Sequence, residues 1–184
     1  MPGLEDLYRE IILDHYRSPR NRGELTVPPA HVAEGFNPLC GDEIKVFLDV
    51  DDGVVSDIRI AGQGCSISQS SASMMSAAVK GKSVADARRL LAAFKSMMSV
   101  HESGLDGSDG EAADDLADVK LGDLEALRGV VKFPVRIKCA TLAWNTLAQG
   151  LDEAVVAGRP AAVRPGRRRQ GRLFSPHHPC LSWT

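Results

Sequence analysis

The chain has 184 residues, of which 43% are apolar and 25% are charged. These proportions are ordinary for a soluble globular protein, and the length suits one domain with a sizeable core. No run approaches the roughly 20 uninterrupted apolar residues of a membrane span. The acidic start of the chain lacks the basic and then apolar pattern of a secretory signal. We therefore predict a cytoplasmic protein with reduced cysteines and no membrane partner.

The net charge of −2 is unevenly distributed along the chain. The six arginines from Arg159 onward leave 16 basic against 24 acidic side chains before that residue, a net charge of −8. A nucleic-acid surface needs a basic patch, so we predict no nucleic-acid partner for the acidic part. Residues 159–184 are rich in proline, glycine and arginine, which predicts a disordered tail. A basic arm that binds a nucleic acid or a protein partner is the alternative interpretation of this tail.

The N-terminal segment has a helical pattern. Apolar residues between Leu4 and Ile12 recur at helical spacing, which predicts an amphipathic helix. The helix should end near Arg17, because a residue that precedes a proline disfavours helical backbone. Residues 18–37 contain prolines and lack a period, so we predict an extended connector there.

Two strands follow the connector and should pair as a hairpin. Residues 44–50 and residues 55–60 each alternate between two faces, and Asp51-Asp52-Gly53 predicts the turn between them. In the second strand, the alternation predicts one face formed by Ser56, Ile58 and Ile60 and an opposite face that includes Val55.

The rest of the chain is predicted to be mainly helical. One helix should run from about Cys65 to Val79, and a second should begin at Ser83. Residues 103–118 are acidic and rich in glycine, which predicts an exposed insertion. A short helix should follow the insertion, and a last helix should run from Pro134 to about residue 156. This order predicts an α+β fold, with helices packed on one face of a small antiparallel sheet.

Three cysteines lie at the ends of predicted elements. Cys40 lies in a loop that enters the first strand of the hairpin, two residues before Asp42. Cys65 begins a helix, and Cys139 lies in the first turns of the last helix. A helix N-terminus favours a thiolate, because its unpaired N–H groups stabilise negative charge. The neighbouring glycines would give a metal or an incoming sulfur room to approach.

Thiolates are ligands of soft metals and nucleophiles in persulfide chemistry. Three cysteines and Asp42 would make a four-ligand site for zinc, or an exchangeable site for an iron–sulfur cluster. The spacing matches no zinc finger, so a small buried apolar role for each cysteine stays open at this point.

The same residues carry a resemblance to a known family. Leu39-Cys40-Gly41-Asp42, Gly62-Gln63-Gly64-Cys65-Ser66-Ile67-Ser68 and Arg136-Ile137-Lys138-Cys139-Ala140 resemble the three signature segments of the IscU/NifU-like iron–sulfur cluster assembly proteins. The resemblance identifies residues 1–158 as one IscU/SufU-like domain with about three strands. Lys138 replaces a histidine of the housekeeping scaffold, and residues 103–118 match an insertion, so the SufU type is indicated.

The resemblance to the SufU type implies a function. Such proteins are zinc-dependent sulfur acceptors for a PLP-dependent, SufS-type cysteine desulfurase, and work with other Suf cluster-assembly components. By this resemblance Cys40 receives the persulfide sulfur, while Cys40, Asp42, Cys65 and Cys139 hold zinc. A histidine of the desulfurase is expected to displace Cys40 from the metal. Arg136 is expected to stabilise the thiolate, so Cys40 and Arg136 are the predicted catalytic residues.

Two other functions stay open at this point. The chain could be a scaffold on which a [2Fe–2S] or [4Fe–4S] cluster is assembled and then transferred. It could also be a structural zinc module without sulfur chemistry, in which case replacing Cys40 should unfold it. The protein would count as an enzyme, a sulfurtransferase, only in the sulfur-acceptor interpretation.

Overall fold

A computed structural model describes residues 3–99 and 118–157 of the protein. The elements in chain order are α1 (Leu4–Arg17), β1 (His31–Asn37), β2 (Asp42–Asp51), β3 (Val54–Gln63), α2 (Ser66–Val79), α3 (Val84–Ser99), a 3₁₀ helix (Gly122–Lys132) and α4 (Pro134–Ala157). The strands form one antiparallel sheet in the order β1-β2-β3. The predicted α+β fold with about three strands is confirmed.

Some predictions fall on other parts of the chain. The tail at 159–184 and nearly all of the insertion at 103–118 lie outside the described residues, so both stay predictions. The single domain over residues 1–158 also stays a prediction. Within the described ranges, no helix combines the length and the apolar character that crossing a membrane requires.

The strand β1 lies in the segment for which we predicted an extended connector. His31 pairs with Leu48, and the pairing continues to Asn37 opposite Asp42. The prediction was therefore wrong for residues 31–37. Gly35 interrupts the strand pattern in the sequence. Glycine is needed at this position because a side chain there would collide with the Thr146 hydroxyl of α4. Close approach between a strand and a helix requires glycine at this position, although glycine disfavours a strand by propensity.

A β-bulge reverses the predicted face of Val55. Asp49 pairs with Asp57, but the next pair is Val50 with Val55, so Ser56 is the extra residue. Ser56 is exposed, and its hydroxyl donates to the Asp49 carbonyl at 3.0 Å. Val55 is buried instead. One inserted residue exchanges the two faces of a strand, which a strict period of two cannot anticipate.

The core lies where the helices pack against the sheet. Within it, hydrogen bonds of the Ser71 hydroxyl join α2 to α4. Trp144 of α4 is fully buried and stacks on Phe94 of α3, with ring centroids 4.4 Å apart. Its indole N–H donates to the Ser71 hydroxyl of α2 at 3.2 Å. That hydroxyl donates to the Ala140 carbonyl at 2.6 Å. The contact thus fixes α2 against α4 beside Cys139.

Candidate metal centre

Two thiols and one carboxylate come together at one end of the sheet. Cys40 lies in the turn between β1 and β2, Asp42 begins β2, and Cys139 lies near the start of α4. The Sγ atoms of Cys40 and Cys139 are 3.2 Å apart. One potential ligand atom from each of the three residues lies within 4.8 Å of the other two. In the ranges that the structure describes, this is the one group of three or more His, Cys, Asp or Glu residues that is close enough to share a metal ion.

The turn between β1 and β2 presents Cys40 to the surface. The carbonyl of Asn37 accepts the N–H of Cys40 at 3.3 Å and that of Gly41 at 2.8 Å. Gly41 has a φ of +70°, a left-handed conformation that favours glycine. Cys40 is consequently exposed, whereas Asp42 and Cys139 are buried.

Cys65 lies beside this group rather than within it. Its sulfur lies 3.9 Å from Asp42 Oδ2, and its backbone N–H donates to Asp42 Oδ1 at 2.9 Å. The sulfur also accepts the Ser68 N–H at 3.4 Å, so Cys65 caps the N-terminus of α2. The structure thus brings three of the four predicted ligands within 4.8 Å of one another and places the fourth beside Asp42.

Two glycines make room for the Asp42 carboxylate and the adjacent backbone. A Cβ at Gly64 would lie 2.6 Å from Asp42 Oδ1. Gly62 has a φ of +127°, and a Cβ there would collide with the Glu43 carbonyl. The glycines that we expected to leave room for a metal or an incoming sulfur are those that flank Cys40 and Cys65, and this expectation stays a prediction. Gly64 makes room for the Asp42 carboxylate, whereas a Cβ at Gly41 would meet no atom within 4 Å.

The electrostatics of the group favour a bound cation. Burial raises the pKa of the Cys139 thiol, and contacts with Cys40 and Asp42 raise it further, as do the negative charges of Cys65 and Asp42. Several groups that would repel one another as anions therefore lie close together, and two of them, Asp42 and Cys139, are buried. A cation at their centre would remove the repulsion and keep the thiols deprotonated.

The spacing of the donor atoms also suits zinc. Zinc binds sulfur at about 2.3 Å and carboxylate oxygen at about 2.0–2.2 Å, so tetrahedral ligand atoms lie roughly 3.5–3.8 Å apart. The observed separations are 3.2 Å between Cys40 and Cys139 and 3.9 Å between Cys65 and Asp42. Cys65 lies outside the group of atoms within 4.8 Å of one another, so its sulfur would have to move toward Cys40 and Cys139 to become the fourth ligand. Three sulfurs and one carboxylate are nevertheless donors that zinc prefers. The residues present therefore fit zinc.

The two basic residues that precede Cys139 are exposed. Arg136 lines a groove of about 690 Å³ together with Ser66 and Ile67, the residues that follow Cys65. Within the described residues, no hydrogen bond or ion pair joins the side chain of Arg136 or of Lys138 to a cysteine. The catalytic role of Arg136 stays a prediction.

Asn37 also contacts the group, and none of the sequence motifs pointed to it. Its side chain is buried, and its Nδ2 donates to Cys40 Sγ at 3.4 Å. Its Oδ1 accepts the Leu39 N–H at 3.1 Å. An Asn-Pro pair just before Cys40 is a typical start of a turn and was the available signal.

Comparison with known proteins finds one matching family and relatives that are similar over most of the chain. The family model for the NifU-like N terminal domain matches residues 7–140. The chain is 45% identical over 148 residues to the zinc-dependent sulfurtransferase SufU of Bacillus subtilis (strain 168), which covers 80% of this chain and 91% of the relative. It is 38% identical over 154 residues to the iron–sulfur cluster assembly scaffold protein IscU of Streptococcus pyogenes serotype M1, with 84% and 88% covered.

A solved structure has a similar fold. The FiSufU protein of Fervidobacterium islandicum AW-1 superimposes with a TM-score of 0.64 at 28% identity, and the match covers 81% of this chain and 99% of the other. The three-stranded sheet and its helices are therefore shared with a SufU protein.

Proposed function

The chain belongs to the family of NifU-like N-terminal domains, and on that premise we propose that it is an iron–sulfur cluster assembly protein that accepts sulfur on Cys40. The observation that carries this proposal is the position of Cys40, which is exposed while its sulfur lies 3.2 Å from that of buried Cys139. It can therefore belong to a metal centre and still meet a partner protein. The 45% identity to a protein named as a zinc-dependent sulfurtransferase supports the proposal.

The proposed zinc ligands are Cys40, Asp42, Cys65 and Cys139. Zinc, when bound, would keep the thiols deprotonated at neutral pH. Asp42 is held in place by the backbone N–H of Cys65, the residue that caps the N-terminus of α2. Cys139 is fixed by the packing of α4. Cys40 lies in a turn, so it is the ligand whose sulfur can move with the least disturbance of the fold.

In the proposed reaction, a cysteine desulfurase of the SufS type supplies sulfur as a persulfide on its own cysteine. The Cys40 thiolate attacks the terminal sulfur of that persulfide. The new bond to Cys40 Sγ forms as the bond between the donor's two sulfurs breaks. The donor leaves as a thiolate and Cys40 carries the persulfide, so no external oxidant or reductant is needed. Arg136, exposed near the start of α4, would supply positive charge where the two thiolates meet.

A cluster scaffold is the second candidate function. Three thiols and a carboxylate are also a suitable ligand set for an iron–sulfur cluster with one exchangeable position. The Streptococcus relative, 38% identical to this chain, is named as a scaffold. This function needs the same residues but predicts that a cluster, rather than a persulfide, leaves the protein.

The two functions can be separated by metal analysis and desulfurase turnover. Protein purified without oxygen should contain one zinc per chain and should increase alanine production by a SufS-type desulfurase. Cys40→Ser should abolish that increase, while Cys180→Ser, which removes a cysteine outside the proposed site, should retain it. A transferable iron–sulfur cluster on the native protein, without any effect on turnover, would favour the scaffold.

A further inference from the structure

The side chain of Asn37 contacts the sulfur that the proposed reaction uses. Its Nδ2 lies 3.4 Å from Cys40 Sγ, and the residue is only 6% exposed. We propose that Asn37 is a positioning residue for sulfur transfer, and that its N–H···S hydrogen bond stabilises and orients the Cys40 thiolate while it attacks. This inference rests on the proposed function and assigns a role to a residue outside the ligand set.

The orientation of the Asn37 amide is fixed by its other partner. Oδ1 accepts the backbone N–H of Leu39 at 3.1 Å. A flip of the amide would place two N–H groups against each other there and an oxygen against the sulfur. The Nδ2 group must therefore face Cys40, and the amide acts as a donor toward it.

The backbone of Asn37 is equally well held. Asn37 is the last residue of β1 and pairs with Asp42 of β2. Its carbonyl accepts the N–H groups of Cys40 and Gly41, so the turn folds around this one residue. A donor mounted on the end of a paired strand keeps its place when the sulfur of the neighbouring turn moves.

The surroundings of the Cys40 sulfur explain why it needs a donor. Cys139 Sγ is 3.2 Å away, and a carboxylate oxygen of Asp42 lies within 4.8 Å. Both neighbours repel negative charge when they are ionised. Cys65 receives the N–H of Ser68 at the N-terminus of α2, but Cys40 lies in a turn without a helix. Asn37 provides for Cys40 the hydrogen bond that the helix provides for Cys65.

The decisive variant is Asn37→Asp. The aspartate keeps the size and the acceptor for the Leu39 N–H, but it replaces the donor with an oxygen that faces the sulfur. We expect the maximal rate of single-turnover sulfur transfer from the desulfurase to fall at least about tenfold, since a hydrogen bond to a charged group is lost. The desulfurase concentration for half-maximal rate should not change, because the surface that meets the partner is unaltered.

Asn145→Asp is the matched control. Asn145 is exposed on α4, so the substitution adds the same charge without touching the turn. It should keep the wild-type transfer rate. Zinc content, measured in all variants, should stay at the wild-type level, which shows that the effect arises in the transfer step.

Asn37→Ala separates positioning from structure. Alanine loses both side-chain hydrogen bonds, so its melting temperature should fall below that of Asn37→Asp. Its transfer rate should nevertheless exceed that of Asn37→Asp, because no carboxylate faces the sulfur. A wild-type rate in Asn37→Asp, or rates that simply follow the melting temperatures, would overturn the inference alone. Absence of sulfur transfer to the wild-type protein would overturn the proposed function and this inference with it.

Discussion

The carboxylate of Asp42 connects Cys65 with the other two cysteines of the proposed metal centre, Cys40 and Cys139. It is almost fully buried, and such a charge is costly unless hydrogen bonds or an ion compensate it. One oxygen accepts the Cys65 N–H at 2.9 Å, and the carboxylate lies at the N-terminus of α2, where the helix dipole favours negative charge. The remaining compensation would come from zinc. The position of this carboxylate therefore determines whether Cys65 can join the other ligands.

A substitution at Gly64 tests this role of Asp42. In Gly64→Ala the new Cβ would lie 2.6 Å from Asp42 Oδ1, so the carboxylate must move. We expect the zinc affinity, measured by competition with a chromogenic chelator, to fall at least about tenfold, which corresponds to roughly 1.4 kcal/mol. Gly129→Ala is the control, because a Cβ at Gly129 meets no atom within 4 Å. Equal affinities in the two variants would contradict the role given to Asp42.

Much of the site could be predicted at the level of residues. The segments around Cys40, Cys65 and Cys139 identified the family and predicted the ligand set that we propose. Asn37 could not be identified, because its contact with Cys40 depends on the pairing of β1 with β2. Gly35 obscured that pairing, because glycine is not typical of a strand. The glycine is required by close contact with α4, which lies more than a hundred residues later in the chain.

Among the secondary-structure elements, α2 and α4 carry two of the proposed ligands. Cys65 precedes α2, and Cys139 lies near the start of α4. The buried Ser71 hydroxyl donates to the Ala140 carbonyl and accepts the Trp144 N–H. These bonds fix α4 against α2 at Ala140, the residue that follows Cys139. The predicted bounds of the helices were close to the observed ones, but this contact between them has no periodic signal in the sequence.

Ser71→Ala should therefore destabilise the fold. It leaves the Trp144 N–H without a partner in the core, which typically costs about 1–3 kcal/mol. We expect a loss of that size in the free energy of unfolding, measured with urea at constant zinc. Ser96→Ala changes an exposed serine on α3 and should stay within about 0.5 kcal/mol of the wild type. A loss no larger than that of the control would mean that the hydrogen bonds of Ser71 contribute nothing.

For the molecule as a whole, the proposed site links parts of the chain that are far apart in sequence. Cys40 and Cys139 are separated by 99 positions, yet their sulfurs touch. A metal bound to both would bind the folded chain far better than the unfolded one and would stabilise the fold by mass action. The apolar core, built from the sheet and the helices, does not include the exposed Cys40. The fold should therefore survive when this ligand is removed.

Metal removal tests this separation between fold and site. A chelator should lower the melting temperature of the wild-type protein, and added zinc should restore it. Cys40→Ala should remain folded, with a circular dichroism spectrum like that of the wild type and a smaller response to the chelator. An unfolded Cys40→Ala protein would instead support a structural zinc module, the third function that the sequence left open.

The central claim is that Cys40 receives sulfur. The most direct measurement incubates the zinc-loaded protein with a SufS-type desulfurase and cysteine, traps thiols and persulfides by alkylation, and locates the added sulfur by mass spectrometry of peptides. We predict one added sulfur on the peptide that contains Cys40 and none in Cys40→Ser. Added sulfur on Cys180 instead, or on no cysteine of the chain, would contradict the claim.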